Sequence, residues 1–144
     1  MPTGKRMAGH PKEWLHPMLK SWAEQYVRAR NGYRTFADGT RHFDGWPVAT
    51  VLAKIREDGE GAGQGMRRQS YAEVYAGDGL TIWRAMDGMR IDLREVLYAR
   101  YLSRQPIRQQ AQNLGLGERD YFRLLDNAFH YLEGRISAAI ACKG

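Results

Sequence analysis

The stretch Pro106-Ile107-Arg108-Gln109-Gln110-Ala111-Gln112-Asn113-Leu114-Gly115-Leu116-Gly117-Glu118-Arg119-Asp120-Tyr121-Phe122-Arg123-Leu124-Leu125 decides how the chain folds. It reads as a short helix, a glycine-bearing turn and a second helix. Pro106 suits the first position of a helix, where no N–H donor is needed. Ile107, Ala111 and Leu114 then fall at i, i+4 and i+7, along one helical face. Ala111 is small where two helices would cross, and Gly115 supplies the positive-φ residue that ends the first of them. Leu116 plugs the turn, and the second helix turns Tyr121, Leu124, Leu125, Ala128 and Leu132 inward. This spacing predicts a helix-turn-helix over residues 106–126, of the kind that binds DNA. An ordinary antiparallel helix pair is the competing reading of the same pattern.

With that apolar face inside, Glu118, Arg119, Asp120, Phe122, Arg123 and Asn127 are left outside. An arginine can fork onto guanine O6 and N7, so Arg119 and Arg123, one turn apart, are the candidate base readers. Arg104, Arg108, Gln109 and Gln112 flank the helix entry and suit DNA phosphates. Residues 90–126 hold seven basic and five acidic side chains, a net of +2. So small an excess grips a polyanion weakly. An oligomer or a larger DNA-bound assembly would have to supply the rest of the affinity.

The whole chain has 144 residues, enough for one domain with a sizeable core, and a formal charge of +6 that suits a polyanionic partner. Cys142 is the single cysteine, which excludes an intrachain disulfide and a cysteine-rich zinc site. No apolar run reaches membrane-spanning length, and residues 1–12 lack the apolar core of a signal peptide, so a cytoplasmic protein with no membrane partner is expected. His10, His16, His42 and His130 are scattered, and neither Ser70 nor Cys142 has a base beside it in sequence. A catalytic centre, a metal site and a cofactor are therefore not expected.

Outward from the helix-turn-helix, Asp92 and Glu95 have capping-box spacing and open a helix to about Leu102, burying Leu93, Val96, Leu97 and Tyr101. Leu80, Ile82, Trp83 and Met86 stripe another helix, ending at Gly88. Ser70 and Glu73 form a second capping-box pattern, for a short helix through Tyr75 that Gly77-Asp78-Gly79 breaks. Residues 59–69 are a glycine-rich connector, with four glycines in the first seven positions, and the best candidate boundary. Before it, Val48, Val51, Leu52 and Ile55 stripe a helix that Pro47 opens and Arg56-Glu57-Asp58 closes. Residues 33–46 read as a loop with room for a short hairpin. Asp38, His42 and Asp44 lie in that loop, solvated rather than ligating metal. Leu15, Met18, Leu19, Trp22 and Tyr26 mark a first helix within residues 12–30, ended by Asn31-Gly32. Residues 1–11 form a basic flexible arm, and the last helix continues past Leu132 towards Ala141, weakened at Gly134. The division is an arm (1–11), an N-terminal helical segment (12–58), a connector (59–69) and a C-terminal helical DNA-binding region (70–144). No other stretch reads as a strand. The fold class is all-α: a small helical domain with a C-terminal helix-turn-helix followed by a long helix.

Arg94-Glu95-Val96-Leu97-Tyr98-Ala99-Arg100-Tyr101-Leu102, then residues 107–116, then Tyr121-Phe122-Arg123-Leu124-Leu125-Asp126-Asn127-Ala128 and Leu132, resemble the fourth region of sigma-70-type factors. More closely, the chain resembles the bacteriophage antitermination protein Q family, which carries that module at its C-terminus. Trp22-Ala23-Glu24-Gln25-Tyr26-Val27-Arg28 and Gly45-Trp46-Pro47 are similar to that family's tryptophan-bearing helix and Gly-aromatic-Pro segment. Late-gene activators of the ArpU and RinA type share much of the C-terminal pattern. The resemblance to the antiterminators implies a protein that binds a double-stranded DNA element overlapping a late promoter and loads onto bacterial RNA polymerase holoenzyme. It would then travel with the enzyme past pauses and terminators, in the cytoplasm of the host cell. The two N-terminal helices and the connector with Arg67 and Arg68 would be candidate polymerase contacts, in a zinc-free member. The alternatives are a sequence-specific activator or repressor acting at initiation, and a helical module that binds only protein. The oligomeric state is left open.

Overall fold

Leu15, Leu19, Trp22, Ala23, Tyr26 and Val27 recur at three- and four-residue intervals, and all six are buried along one side of α1 (Leu15–Ala29). The computed structural model describes residues 11–30, 32–61 and 75–143. Residues 1–10 of the expected arm (1–11), the Ser70–Glu73 pattern and the Arg67-Arg68 pair lie outside them. Pro17 stands in the first turn of α1, where a missing N–H breaks no helical bond. Gly32 N–H closes the other end by donating to Val27 O (3.0 Å). Lys20, Glu24 and Arg28 face solvent, as the stripe requires.

The loop after α1 contains a hairpin of β1 (Arg34–Thr35) and β2 (Arg41–His42), antiparallel, with Arg34 opposite His42 and Thr35 opposite Arg41. Two-residue strands, exposed on both faces, carry no alternating signal, which is why sequence patterning offers a loop with room for a hairpin but not the strands themselves. Asp38 Oδ1 accepts from both Thr40 N and Thr40 Oγ1 (2.9 and 2.6 Å), and Gly39 takes φ +89° in the turn.

Pro47 O then accepts the Thr50 and Val51 N–H groups at the start of α2 (Val48–Gly61). Val48, Val51 and Ile55 are its buried face. The helix runs three residues past the expected stop at Asp58, into the glycine-rich stretch; the remainder of the connector lies outside the described residues.

Gly77-Asp78-Gly79, expected as a break, is the first turn of α3 (Gly77–Ala85). Neither glycine interrupts the helix: Gly77 serves the turn into it and Gly79 a close approach. Gly77 has φ +54°, and a Cβ on Gly79 would collide with the Gln25 side-chain amide. That amide clasps the backbone of Ala76, Oε1 accepting from its N–H (2.9 Å) and Nε2 donating to its carbonyl (3.2 Å). α3 is thereby held against α1.

α4 (Ile91–Leu102) buries Leu93, Val96, Leu97, Tyr98, Ala99 and Leu102, which is most of its circumference. It packs against α1, α2 and both helices that follow it, so no single stripe describes it. This explains two departures from expectation. Tyr98, off the predicted stripe, is fully buried, whereas Tyr101 is half-buried at the edge. The Asp92–Glu95 capping box does not form, because Arg90 is the N-cap residue and its guanidinium holds the Asp92 carboxylate at 2.5 and 3.1 Å.

α5 (Ile107–Asn113) and α6 (Glu118–Lys143) complete the chain. α6 spans 26 residues without interruption at Gly134 and buries Tyr121, Leu125, Ala128, Phe129, Leu132 and Ile136. Phe129 was absent from the predicted face and Leu124, expected inside, is half-buried. Residues of all six helices share one core, centred on Trp22, Tyr26 and Tyr98, with ring centroids 4.9–5.3 Å apart. Six helices and a two-stranded sheet make the described residues a small all-α domain. None of these helices is long and apolar enough to cross a membrane.

One backbone bridge fixes the entry to α5. Trp46 N–H donates to Leu102 O (2.8 Å), and Arg104 N–H donates to Trp46 O (3.0 Å). Gly45, at φ +94°, permits this approach: a Cβ there would stand 2.5 Å from Arg104 N. Gly39 has a similar φ but open space around it. Gly45→Ala should therefore lose more stability than Gly39→Ala. Backbone strain alone accounts for about 1–3 kcal/mol in each, and the broken bridge adds to it only at Gly45. Thermal melts followed by circular dichroism measure the difference; equal losses would mean the bridge contributes nothing.

Candidate nucleic-acid interface

The α5–α6 joint is built from its backbone outward. Pro106 is the N-cap residue rather than the first helical one, with φ −61° and ψ 158°, and its carbonyl accepts Gln110 N–H (2.9 Å). At the other end of α5, Leu116 N–H donates to Ala111 O (2.9 Å) and Gly115 N–H to Gln112 O (3.0 Å). This is the paired bonding of a Schellman turn, and it needs the left-handed residue that Gly115 provides at φ +73°. Ala111 is 1 % exposed and Leu116 packs against the core, as the sequence pattern anticipates.

Beneath the joint lies a polar relay that the pattern did not reveal. Gln110 is buried; its Oε1 accepts from the Tyr121 hydroxyl (2.5 Å) and its Nε2 donates to Gln105 O (2.7 Å). Gln105 in turn uses its own side-chain oxygen to accept Val48 N–H (2.8 Å) and Asn113 Nδ2 (3.2 Å). The first N–H of α2, the turn before α5, α5 itself and α6 are thus linked through two amides. A sequence signal existed for Gln110, which falls at i+3 from Ile107 on the apolar face. None existed for Gln105, whose partner Val48 is 57 residues away.

Every side chain proposed from sequence to touch DNA is exposed. Arg104 lies in the turn after α4; Arg108, Gln109 and Gln112 lie on α5; Arg119 and Arg123 lie one turn apart on α6. Arg108 and Gln112, four residues apart, share a face of α5. Among the described residues, no hydrogen bond or ion pair joins the α5 group to the α6 group. Arg104, Arg108 and Arg119 form no ion pair there. Arg123 Nη2 stands 3.5 Å from Asp120 Oδ1, both side chains more than half exposed. Such a surface pair is worth about 0.3–0.5 kcal/mol, less than one bidentate base contact, so it does not prevent Arg123 from turning to a nucleic acid. Glu118 and Asp120 in the first turn favour the α6 N-terminus electrostatically but oppose an approaching phosphate.

The other candidates resolve differently. His42 Nε2 pairs with Asp44 at 2.5 Å on the surface, while Asp38 is engaged by Thr40. Exposed His130 lies 3.5 Å from Asp126 and 3.7 Å from buried Glu133. Among the described residues, no three His, Cys, Asp or Glu side chains are placed to hold a metal ion.

Burial pushes the Tyr121 hydroxyl well above its ordinary pKa of 10. The folded state then keeps a proton that the unfolded state releases above pH 10, so this contribution to stability is complete below pH 10 and lost as pH rises further. Tyr121→Phe should cost about 1–3 kcal/mol at neutral pH, because the Gln110 acceptor is left buried and unmade. The same variant should lose less additional stability than the parent above pH 10. Denaturant unfolding at pH 7 and above pH 10 tests both signs. Separately, Ala111→Leu should overpack the joint and cost about 1–3 kcal/mol in the same measurement; an unchanged midpoint would show that the space beside Ala111 is not limiting.

Compared with known proteins, the chain matches no family model, no curated sequence and no solved structure.

Proposed function

We propose that the chain is a DNA-binding transcription factor of the phage antitermination type. The observation that carries this reading is the α5–α6 joint. A Schellman turn and a buried amide relay hold two helices at fixed geometry, while Arg108, Gln109, Gln112, Arg119 and Arg123 face outward. Rigid presentation of arginines one turn apart on a helix is what base reading in a major groove requires.

In this reading the first two turns of α6 enter the major groove, with Arg119 and Arg123 on base edges. α5 crosses the backbone, and Arg104, Arg108, Gln109 and Gln112 hold phosphates. The resemblance of residues 94–132 to sigma-type and antiterminator modules supports the same placement. The small charge excess suits a factor that acts with a second tether. Docked on bacterial RNA polymerase, the joint needs only modest intrinsic affinity, because tethering raises the effective concentration of the DNA element.

Transcription by purified bacterial RNA polymerase through a terminator downstream of the promoter nearest this gene tests the reading. Increased read-through at unchanged initiation is expected. Increased initiation with unchanged termination would make the protein an activator, and no effect on either would remove the transcriptional role. Arg119→Ala and Arg123→Ala should each weaken binding to the DNA element roughly tenfold or more, at unchanged melting temperature. A gel-shift titration checks this; unchanged binding in both would displace the recognition surface from α6.

A further inference from the structure

An open groove of about 400 Å³ lies between α1, the residues flanking the hairpin and the end of α4, and none of the six residues assigned to DNA lines it. That volume falls within the roughly 300–1,000 Å³ of small-ligand clefts. Its lining has two chemically distinct parts. On one side are His16, Lys20, Arg100 and Tyr101; on the other, the rings of Tyr33 and Phe43, with centroids 6.2 Å apart and steeply inclined.

The polar side is preorganised. His16 Nδ1 and the Tyr101 hydroxyl are 2.9 Å apart and hydrogen-bonded. Burial, and then the charges of Lys20 and Arg100, hold His16 below its ordinary pKa, so both cations act on one ring. Among the described residues, neither Lys20 nor Arg100 forms an ion pair. Glu24 is the acid in the lining and is paired with Arg28 at 3.2 Å. Two cations against one acid leave the lining net positive.

The aromatic side is equally fixed. Phe43 packs edge-on to Trp46 at 5.0 Å, Tyr33 donates its hydroxyl to Glu24 O (3.4 Å), and the Arg41 guanidinium lies 5.4 Å from the Tyr33 ring. Two cations and an imidazole converge on a ligand with several anionic oxygens better than on a single carboxylate. Rigid rings beside them match a flat heteroaromatic base. We infer that this groove binds a nucleotide unit, its phosphate between His16, Lys20 and Arg100 and its base against Tyr33 and Phe43. The unit is either a free nucleotide or one residue of a single strand. This inference is independent of the duplex-binding role given to α5 and α6.

The test uses the full chain in calorimetric titrations with adenosine 5′-monophosphate, adenosine and inorganic phosphate, and fluorescence anisotropy with a labelled single-stranded decamer. The monophosphate should bind at least about tenfold more tightly than phosphate or adenosine, since both halves of the groove contribute. Lys20→Gln and Arg100→Gln should each weaken it by about tenfold at unchanged melting temperature, while Lys20→Arg retains it. The Arg119→Ala/Arg123→Ala double variant should bind the monophosphate as the parent does, whatever happens to duplex DNA. A decamer bound more tightly than the monophosphate identifies a strand as the source, and equal affinity per site identifies a free nucleotide. Equal binding of phosphate and monophosphate, unchanged affinity in both charge variants, or no binding at millimolar concentration would overturn the assignment.

Discussion

The rest of the structure depends on one short backbone bridge, where residue 46 lies alongside residue 103. Its two hydrogen bonds contribute only about 0.5–1.5 kcal/mol each in net terms. What makes the bridge decisive is that the Trp46 side chain works in the opposite direction from its peptide. The peptide sets the course of the chain between α4 and α5. The ring meets Tyr26 at 6.2 Å and Phe43 at 5.0 Å, with Lys54 Nζ 4.7 Å from it. A continuous series of aromatic contacts thus runs from Tyr98 in the core through Tyr26, Trp46 and Phe43 to Tyr33. Each such contact adds about 0.5–1.5 kcal/mol beyond burial, so the rings outweigh the backbone bonds they accompany. One residue therefore disciplines both the joint on one side and the groove on the other.

Much of this was legible in the sequence, for a definable reason. α1 and α2 each pack one face, so their three- and four-residue stripes locate that face, although Ala23 and Val27 join it on α1 while Met18 and Leu52, expected inside, are half-buried. The turn at Gly115 was legible because a positive φ leaves a chemical mark, a glycine at a helix end. Legibility fails where burial or bonding comes from several directions at once. Tyr98 lies off any single stripe because α4 is enclosed by other helices, and Gly77-Asp78-Gly79 reads as a break because the constraint on Gly79 is Gln25, on a helix far away in sequence. The candidate interface shows both outcomes. The exposure of Arg119 and Arg123 follows directly from the stripe opposite them, whereas the relay beneath them passes through Gln105, which no periodicity marks, and bonds Gln110 to Tyr121 in a pairing that spacing alone does not show.

The acidic residues at the start of α6 express a compromise between folding and binding. Glu118 and Asp120 sit where the helix dipole rewards negative charge by roughly 0.3–1 kcal/mol each. The same position is the one that a DNA phosphate would approach in the proposed complex. Stability of the free protein and intrinsic grip on a polyanion are therefore set against each other within a single helical turn. A factor held at its target by another macromolecule tolerates that opposition better than one that must find DNA alone.

The polar ties of this fold also say something about the order in which it can assemble on a ribosome. His16 meets Tyr101 across 85 residues, Gln25 meets Ala76 across 51, and Lys12 N–H reaches Glu133 across 121. A nascent chain that has released α1 and α2 has their apolar stripes but not the surfaces that cover them. α4, which touches nearly everything, begins 30 residues after α2 ends, and the buried face of α6 follows later still. Synthesis at about 5–20 residues per second leaves those stripes open for several seconds. The N-terminal helices are thus on offer to chaperones during every round of translation, although the finished protein conceals them.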